Sequence, residues 1–440
     1  MKQKYLIAAP WPPARSEIAN NVADSQLPVL FKRADIALVG EQEVPPDISR
    51  LRDIPVLNVA AAFARYPDAR LIAHLGNHSE HIAAASRSLS IRPGFAVLHD
   101  LVLHHALYNI CYSEQRQADY VAALHQYYGQ RGEEIGKAAC ADGRVVHREA
   151  TQYPLFEPFL ENALGVITHS VMAYERVAES DRWPVCRIGL PFAGPNDENR
   201  KRIIEHRSAQ AETIAVGGQL RLMVFGHLGP NRGLNLLLKA LTQLAEKRIR
   251  LDIFGSIEDR DSIEEQISIG GLQDAVTIHG YVDDETLEKA LTDAHMAINL
   301  RSPTLGEASA SQLRLYATGL PAVVTRHGWY AEQPPSAVRF VRVGNEISDL
   351  VLLLQDVLRA PRQLPVIVAA GIDHLLSEHH PEIYADALLQ FIHRAHTPGL
   401  RLLLARQYSK RSTQRVLDLG IPHTGSLSSA IHHLLPTLSK

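Results

Sequence analysis

Short apolar runs alternate with longer amphipathic stretches from one end of the chain to the other. In the first half the runs are Tyr5–Ala9, Ile36–Val39, Val56–Val59, Leu71–Leu75, Phe95–Leu98, Val166–Thr168 and Arg187–Leu190. In the second they are Leu220–Phe225, Leu251–Phe254, Val276–Ile278, Met296–Leu300, Ala322–Val324 and Val338–Val343. They are apolar without an in-out alternation, as expected of strands covered by helices on both faces. Between them the period changes. From Arg232 to Lys247, Leu234, Leu237, Leu238, Leu241 and Leu244 line one side of a predicted helix with polar residues opposite. Strand–helix alternation of this kind predicts an α/β chain with parallel, doubly wound sheets.

The two strand series are separated by 196–218, a stretch rich in Asp, Glu, Asn, Arg and Lys that ends in Gly217-Gly218 and shows no strong apolar face. This is the predicted domain boundary. It divides the chain into an N-terminal Rossmann-like domain over 1–200, a second over 215–380, and a C-terminal portion over 381–440. Beyond Pro398 the pattern changes again, with Arg401, Arg406, Lys410, Arg411 and Arg415 set among leucines. Two readings stay open for this basic amphipathic tail: a solvated helix packed on the body, or peripheral contact with an anionic membrane or a partner.

Composition narrows the class. The 440 residues are 46% hydrophobic and 21% charged, which fits a soluble globular protein. With 45 Lys and Arg against 48 Asp and Glu, the net charge of −3 provides no basic field for nucleic acid. Cys111, Cys140 and Cys186 lie far apart and fit a reducing compartment. The apolar stretch after Met1-Lys2-Gln3-Lys4 is stopped by Pro10, too early for a signal peptide. A cytoplasmic protein is expected, peripheral at the inner membrane if the tail docks there.

The segment with most chemical content is Asn299 to Trp329. It leaves the end of a strand, passes a turn and presents Glu307 ahead of Ala308, Ser309, Ala310 and Ser311. Ligands of open α/β sheets bind outside the carboxyl ends of the strands. Small residues at a helix start leave amides uncovered for a phosphate, and a carboxylate just before them can accept sugar hydroxyls. The alternative on pattern alone is a capped helix with Glu307 complementing its dipole.

The same segment resembles the donor-binding motif of glycosyltransferase family 4, and most closely that of bacterial polysaccharide and O-antigen transferases. The matching residues are Arg301, Pro303, Thr304, Gly306 and Glu307, then Ala317-Thr318-Gly319-Leu320-Pro321 and Gly328-Trp329. The wider family's second glutamate is replaced by Leu315. Phe225 to Gly233 is similar to the first strand and loop of the family's donor domain, which assigns the diphosphate-neutralising positions to His227 and Arg232. His279-Gly280-Tyr281-Val282 resembles a loop near the nucleotide base. In the first half, Pro10 to Ala19 resembles a Pro-Pro-x-x-Ser-Gly-Ile-Ala loop, with Glu17 at the family's glycine. Leu75-Gly76-Asn77, through His81, and His99-Asp100, through His104 and His105, resemble acceptor-side elements. Thr168-His169-Ser170 resembles another.

The resemblance covers about residues 5 to 395. It implies the GT-B fold, two Rossmann-like domains facing a cleft, with a C-terminal helix crossing back near 380–395. It implies transfer of a hexose or deoxyhexose, with retention, from a nucleotide diphosphate sugar to a saccharide or lipid-linked saccharide hydroxyl in bacterial surface polysaccharide synthesis. GDP-mannose ranks slightly ahead of a UDP-hexose. Glu307, Arg232 and His99 are the expected catalytic residues; His227, Ala308 to Ser311, Arg301 and Glu17 the donor side. Asn77, His81, Asp100, His104, His105 and His169 form the expected acceptor side. No cofactor is expected beyond the nucleotide sugar, and no metal: the 22 histidines show no three-ligand spacing. Glu17, His227 and Leu315 keep a second reading open, a catalytically silent GT-B protein that binds a nucleotide sugar, a glycan or a partner transferase.

Overall fold

The computed structural model describes residues 3–418. It contains two all-parallel sheets. The first is built from β1 (Lys4–Ala8), β2 (Asp35–Val39), β3 (Val56–Leu57), β4 (Arg70–Leu75), β5 (Gly94–Leu98), β6 (Ala163–Thr168) and β7 (Val185–Arg187), in the order β3-β2-β1-β4-β5-β6-β7. The second comprises β8 (Leu220–Phe225), β9 (Ile249–Phe254), β10 (Val276–Gly280), β11 (Met296–Asn299), β12 (Ala322–Thr325) and β13 (Arg339–Val341), in the order β10-β9-β8-β11-β12-β13. Each order runs outward in one direction and then restarts on the other side of its first strand. The reversals, β1/β4 and β8/β11, are topological switch points, where neighbouring loops part and leave a crevice.

Each strand expected from the sequence is present. The central strands are buried because helices cover both faces; β6, for example, is buried along its whole length, Ala163–Thr168. The amphipathic helix lies at Leu234–Leu244 and buries Leu234, Leu237, Leu238 and Leu241, packing with Leu220, Leu222 and Ile253 in the core of the second sheet. Strand β7 comes earlier than its apolar run, at Val185–Arg187.

The boundary differs from expectation. The described residues form two compact units, 3–169 with 173–188 and 385–418, and 170–172 with 189–384. The polar stretch at 196–218 is no linker. Asn196 caps a helix, Asp197–Ala215, by accepting from the Asn199 amide at 2.8 Å. This helix is held to the second unit by a polar anchor. The buried Arg207 guanidinium donates to the carbonyls of Leu291, Thr292, Ala294 and Thr318 at 2.6–3.1 Å. Burial lowers its pKa to about 10. An apolar-face criterion misses a helix fastened this way.

The C-terminal portion crosses back to the first unit as expected. One helix runs from Pro381 to Asp418, through Pro398, and from Ala385 onward it belongs to the first unit. Phe391 meets Phe95 edge to face at 6.1 Å, and Gly399 lies so close to the Leu164 carbonyl that a side chain there has no room. Of the two readings of the basic tail, two of its residues follow packing on the body. Arg406 is 7% exposed and donates to the carbonyls of Arg182, Glu161 and Ala163; Lys410 pairs with Glu161 at 2.6 Å. The Arg415 side chain and residues 419–440, including His432-His433, lie outside the described residues. Among the described residues no helix is long and apolar enough to cross a membrane.

Close approach at Gly399 generates a prediction. Gly399→Ala forces overpacking against β6 and lowers stability in urea melts by about 1–3 kcal/mol, although alanine is the better helix former. Leu404→Ala on the same helix, where Leu404 is 58% exposed, changes stability by about 0.5 kcal/mol or less.

Candidate functional site

At the β8/β11 switch point the second unit brings a buried cation to the strand ends. Strand β8 stops at Phe225 because Gly226 turns away with φ of +105°, a conformation that favours glycine. The loop then reaches the short turn Pro230–Arg232, and the Arg232 side chain folds back over the strand end. Nη2 donates to the Phe225 carbonyl at 3.2 Å and Nη1 to Oδ1 of Asn299, the last residue of β11, at 3.1 Å. Asn299 in turn donates to Gln312 Oε1 at 3.0 Å, which fixes its orientation.

Arg232 is only 7% exposed, and among the described residues no carboxylate lies within ion-pair distance of it. Burial lowers its pKa, and the charge of Arg301 lowers it further; Glu307 acts in the opposite direction at longer range. The fully buried Tyr330 hydroxyl lies beside the guanidinium without completing a hydrogen bond. A buried charge held only by neutral oxygens carries a desolvation penalty of several kcal/mol, which an incoming anion would offset.

Glu307 sits on the loop after β11, held by that loop. Its Oε2 accepts from the Thr304 hydroxyl at 2.8 Å and the Leu305 amide at 2.6 Å, and Oε1 lies 3.4 Å from Arg301 Nε. The carboxylate is thus oriented and partly neutralised before any ligand arrives. The following helix, Ala310–Ala317, is capped by Ser309, whose hydroxyl accepts from Gln312 N at 3.1 Å. The Ala310 and Ser311 amides remain in the first turn without an intrahelical acceptor. Of the four small residues, Ser309 is the cap, and its hydroxyl also contacts that of Ser311 at 3.0 Å. His227 is exposed, with Nδ1 2.9 Å from the Ser256 hydroxyl. His279 stacks on Phe254 at 4.3 Å, while Tyr281 is 78% exposed.

In the first unit Glu17 opens the short helix Glu17–Asn21, where its carboxylate complements the helix dipole. A helical backbone accepts any residue, so the position does not require glycine.

Asn77 and Asp100 hold adjacent loops together. Asp100 accepts from the Asn77 amide at 2.8 Å. Asn77 Oδ1 accepts from Ala106 N at 3.1 Å, and its Nδ2 meets His105 Nδ1 at 2.9 Å. Because Asn77 Oδ1 is already an acceptor, its amide group donates to His105 Nδ1, placing the imidazole proton of His105 on Nε2. His104 corrects an expectation. It is fully buried, with Nδ1 2.6 Å from the Tyr153 carbonyl and Nε2 2.6 Å from the Tyr120 hydroxyl. Both nitrogens are committed to the core, leaving none for an acceptor.

Three further imidazoles meet at the ends of β4, β5 and β6. His74 Nδ1 lies 2.9 Å from His99 Nε2, and the His99 and His169 rings are 5.0 Å apart. His169 Nδ1 donates to the Ile188 carbonyl at 2.9 Å. Burial pushes His74 down to about 3 and His169 to about 4, and holds His99 well below its ordinary value. The same cause brings His104 and His105 to about 4. These residues are neutral at pH 7.

One group, His78, Glu80 and His81, brings metal-competent atoms within 4.8 Å of one another. Its two imidazoles stack face to face at 4.2 Å.

The structure therefore joins Arg232, Arg301, Glu307 and the start of helix Ala310–Ala317 into one site within the second unit. In the first unit it joins His99 with His169, and Asn77 with Asp100 and His105. Sequence reasoning missed Tyr330 and His74, and did not give Asn299 its role. Asn299 and His74 carried a signal: each is a polar side chain in an otherwise apolar strand, Met296-Ala297-Ile298-Asn299 and Leu71-Ile72-Ala73-His74-Leu75.

Residues 219–351 match the protein family described as Glycosyl transferases group 1. No curated protein sequence matches the chain. Among solved structures, sucrose-phosphate synthase from Thermosynechococcus elongatus superposes with a TM-score of 0.59 at 15% identity, over 90% of this chain and 100% of that one. HepE from Anabaena, in complex with UDP, gives a TM-score of 0.58 at 14% identity, over 90% and 100%. WaaG, a glycosyltransferase involved in lipopolysaccharide biosynthesis, gives 0.53 at 13%, over 87% and 99%. The fold is GT-B.

The buried histidines set a pH dependence. Their folded pKa values lie below about 6.5, the value in the unfolded chain, so below that pH the unfolded chain binds the extra protons. Stability is fully present above pH 6.5 and falls as pH drops toward 4. Each such histidine loses about 1.4 kcal/mol per pH unit in that window. Urea melts at pH 7.5 and 5.5 should show the loss, and His104→Phe should reduce its slope; a pH-independent melt would contradict the neutral assignments.

Proposed function

We propose that the chain transfers a hexose or deoxyhexose from a nucleoside diphosphate sugar to a saccharide or lipid-linked saccharide hydroxyl, with retention at the anomeric carbon. The observation that carries this reading is Arg232: a nearly inaccessible guanidinium without a carboxylate partner, at a switch point and near a helix start. That combination suits a group that arrives and departs as a diphosphate. As the sugar–phosphate bond breaks, charge grows on the leaving diphosphate. Arg232, the Ala310 and Ser311 amides and Arg301 would stabilise it without reorganising. Glu307 would accept hydrogen bonds from donor hydroxyls, having been aimed by Thr304 and Leu305. His227 would add a contact to the diphosphate, and the exposed Tyr281 ring a surface for the base.

In the first unit, His99 would contact a sugar hydroxyl, with His169, His81 and His105 as further polar contacts. Asn77 and Asp100 would shape those loops. Neighbours solved with UDP and UDP-glucose support keeping a UDP-hexose beside GDP-mannose as a candidate donor. We further propose bacterial surface polysaccharide synthesis as the setting and a cytoplasmic location. Any membrane contact through the C-terminal helix would have to use basic residues other than Arg406 and Lys410.

A thermal-shift panel of UDP, GDP, dTDP, CDP and ADP, with and without EDTA, tests the donor site. One nucleotide should raise the melting temperature by mass action, and EDTA should leave the shift unchanged. With the matching nucleotide sugar, Arg232→Met should lower turnover about 10²–10³-fold, and Glu307→Ala should lower it about 10-fold or more. Binding that vanishes in Arg232→Met without any turnover in the wild type would favour the silent binding protein. Unchanged turnover in both variants would refute the assignment.

A further inference from the structure

The geometry points to His74 as a positioning residue that fixes the ring of His99 and keeps the His99 proton on Nδ1. The inference rests on the reading of His99 as a group that meets a sugar oxygen.

His74 is the fifth residue of β4, 1% exposed, in a strand otherwise made of apolar residues and Arg70. An imidazole in that place has a desolvation cost, and its Nδ1 is hydrogen-bonded to His99 Nε2, at 2.9 Å. The backbone reinforces the pairing: β4 and β5 run in register from Leu71 with Gly94 to Leu75 with Leu98, and the His99 amide continues it by donating to the Leu75 carbonyl at 2.9 Å. His99 is thereby held at both its backbone and its ring.

Two proton arrangements satisfy a bond between two neutral imidazoles. If His99 donated from Nε2, the His74 proton would lie on its own Nε2. That nitrogen is buried and has no hydrogen-bond partner among the described residues, so the arrangement would leave an orphaned buried N–H, the rarer and costlier kind of unsatisfied group. If His74 donates from Nδ1, its Nε2 is left as an unprotonated lone pair and His99 accepts at Nε2. Neutral His99 must then carry its proton on Nδ1. The neighbouring ring agrees with this arrangement: His169 donates from Nδ1 to the Ile188 carbonyl.

Function follows from the proton's place. His99 would present an N–H donor at Nδ1, suited to a hydroxyl or glycosidic oxygen of a sugar, and would be unable to accept a proton there. His74 touches no substrate in this account and acts only through His99.

The test combines ring-nitrogen NMR on the full chain, labelled with 15N-histidine, with turnover of the variants His74→Leu, His74→Asn and His99→Ala. The wild type should show His99 protonated on Nδ1. His74→Leu removes the donor and should release His99 to the other tautomer or to a mixture. It should lower kcat about 10-fold with KM changed less than about threefold, the split expected when an orienting group is lost. Asparagine keeps an N–H near the position of Nδ1, so His74→Asn should restore the tautomer and most of kcat. This variant also serves if His74→Leu fails to fold.

A wild-type His99 protonated on Nε2 overturns the positioning, whatever His99→Ala does. Full turnover in His99→Ala, with His99 of the wild type protonated on Nδ1, overturns instead the reading of His99 as a sugar contact. A His74→Leu protein with unchanged tautomer and unchanged kcat also overturns the proposal.

Discussion

A guanidinium sealed beneath the end of a strand, and bonded only to neutral oxygens, constrains everything around it in the second unit. Arg232 stays charged there because the Phe225 carbonyl and Asn299 accept its hydrogen bonds. Asn299 can do so only while Gln312 holds its amide, and Gln312 belongs to the helix that Ser309 caps. The loop between Asn299 and Ser309 must therefore keep one shape, and that shape aims Glu307. Removing any member leaves a buried polar group unsatisfied, which costs more than the bond itself contributes.

Parallel sheets explain why this assembly lies where it does. Their strands are consumed by packing on both faces, so polar side chains collect at the carboxyl ends, and the crevice opens where the strand order reverses. The two units use this constraint differently. The second concentrates positive charge and free amides at the β8/β11 switch point. The first delivers neutral imidazoles from β4, β5 and β6, kept neutral by burial. One arrangement suits an anion; the other suits hydroxyls, which need donors and acceptors without charge.

Strand positions were legible because apolar runs bounded by Gly, Pro or Asp are dictated by local burial. The glutamate loop was legible because it is contiguous, from Asn299 through Ser311. Three features were not. Helix Asp197–Ala215 is anchored by four carbonyls on Arg207, and a hydrophobic pattern carries no trace of such bonds. His104 looked equivalent to its neighbours, because nothing local shows that Tyr120 and Tyr153 consume both its nitrogens. The change of pattern at Pro398 does not show that one helix continues through it, because proline in a long helix is tolerated where packing supplies the stability, here with Gly399 against β6. In each case the deciding partner lies far away in the chain.

The most direct test of a diphosphate site organised by Arg232 is amide hydrogen exchange with and without the nucleoside diphosphate that binds. Binding should slow exchange in two separated segments at once, 226–233 and 301–311, because one anion would order both loops of the β8/β11 switch point. The same nucleotide should leave both segments unprotected in Arg232→Met. Protection confined to other parts of the second unit, or retained in full by that variant, would contradict the account.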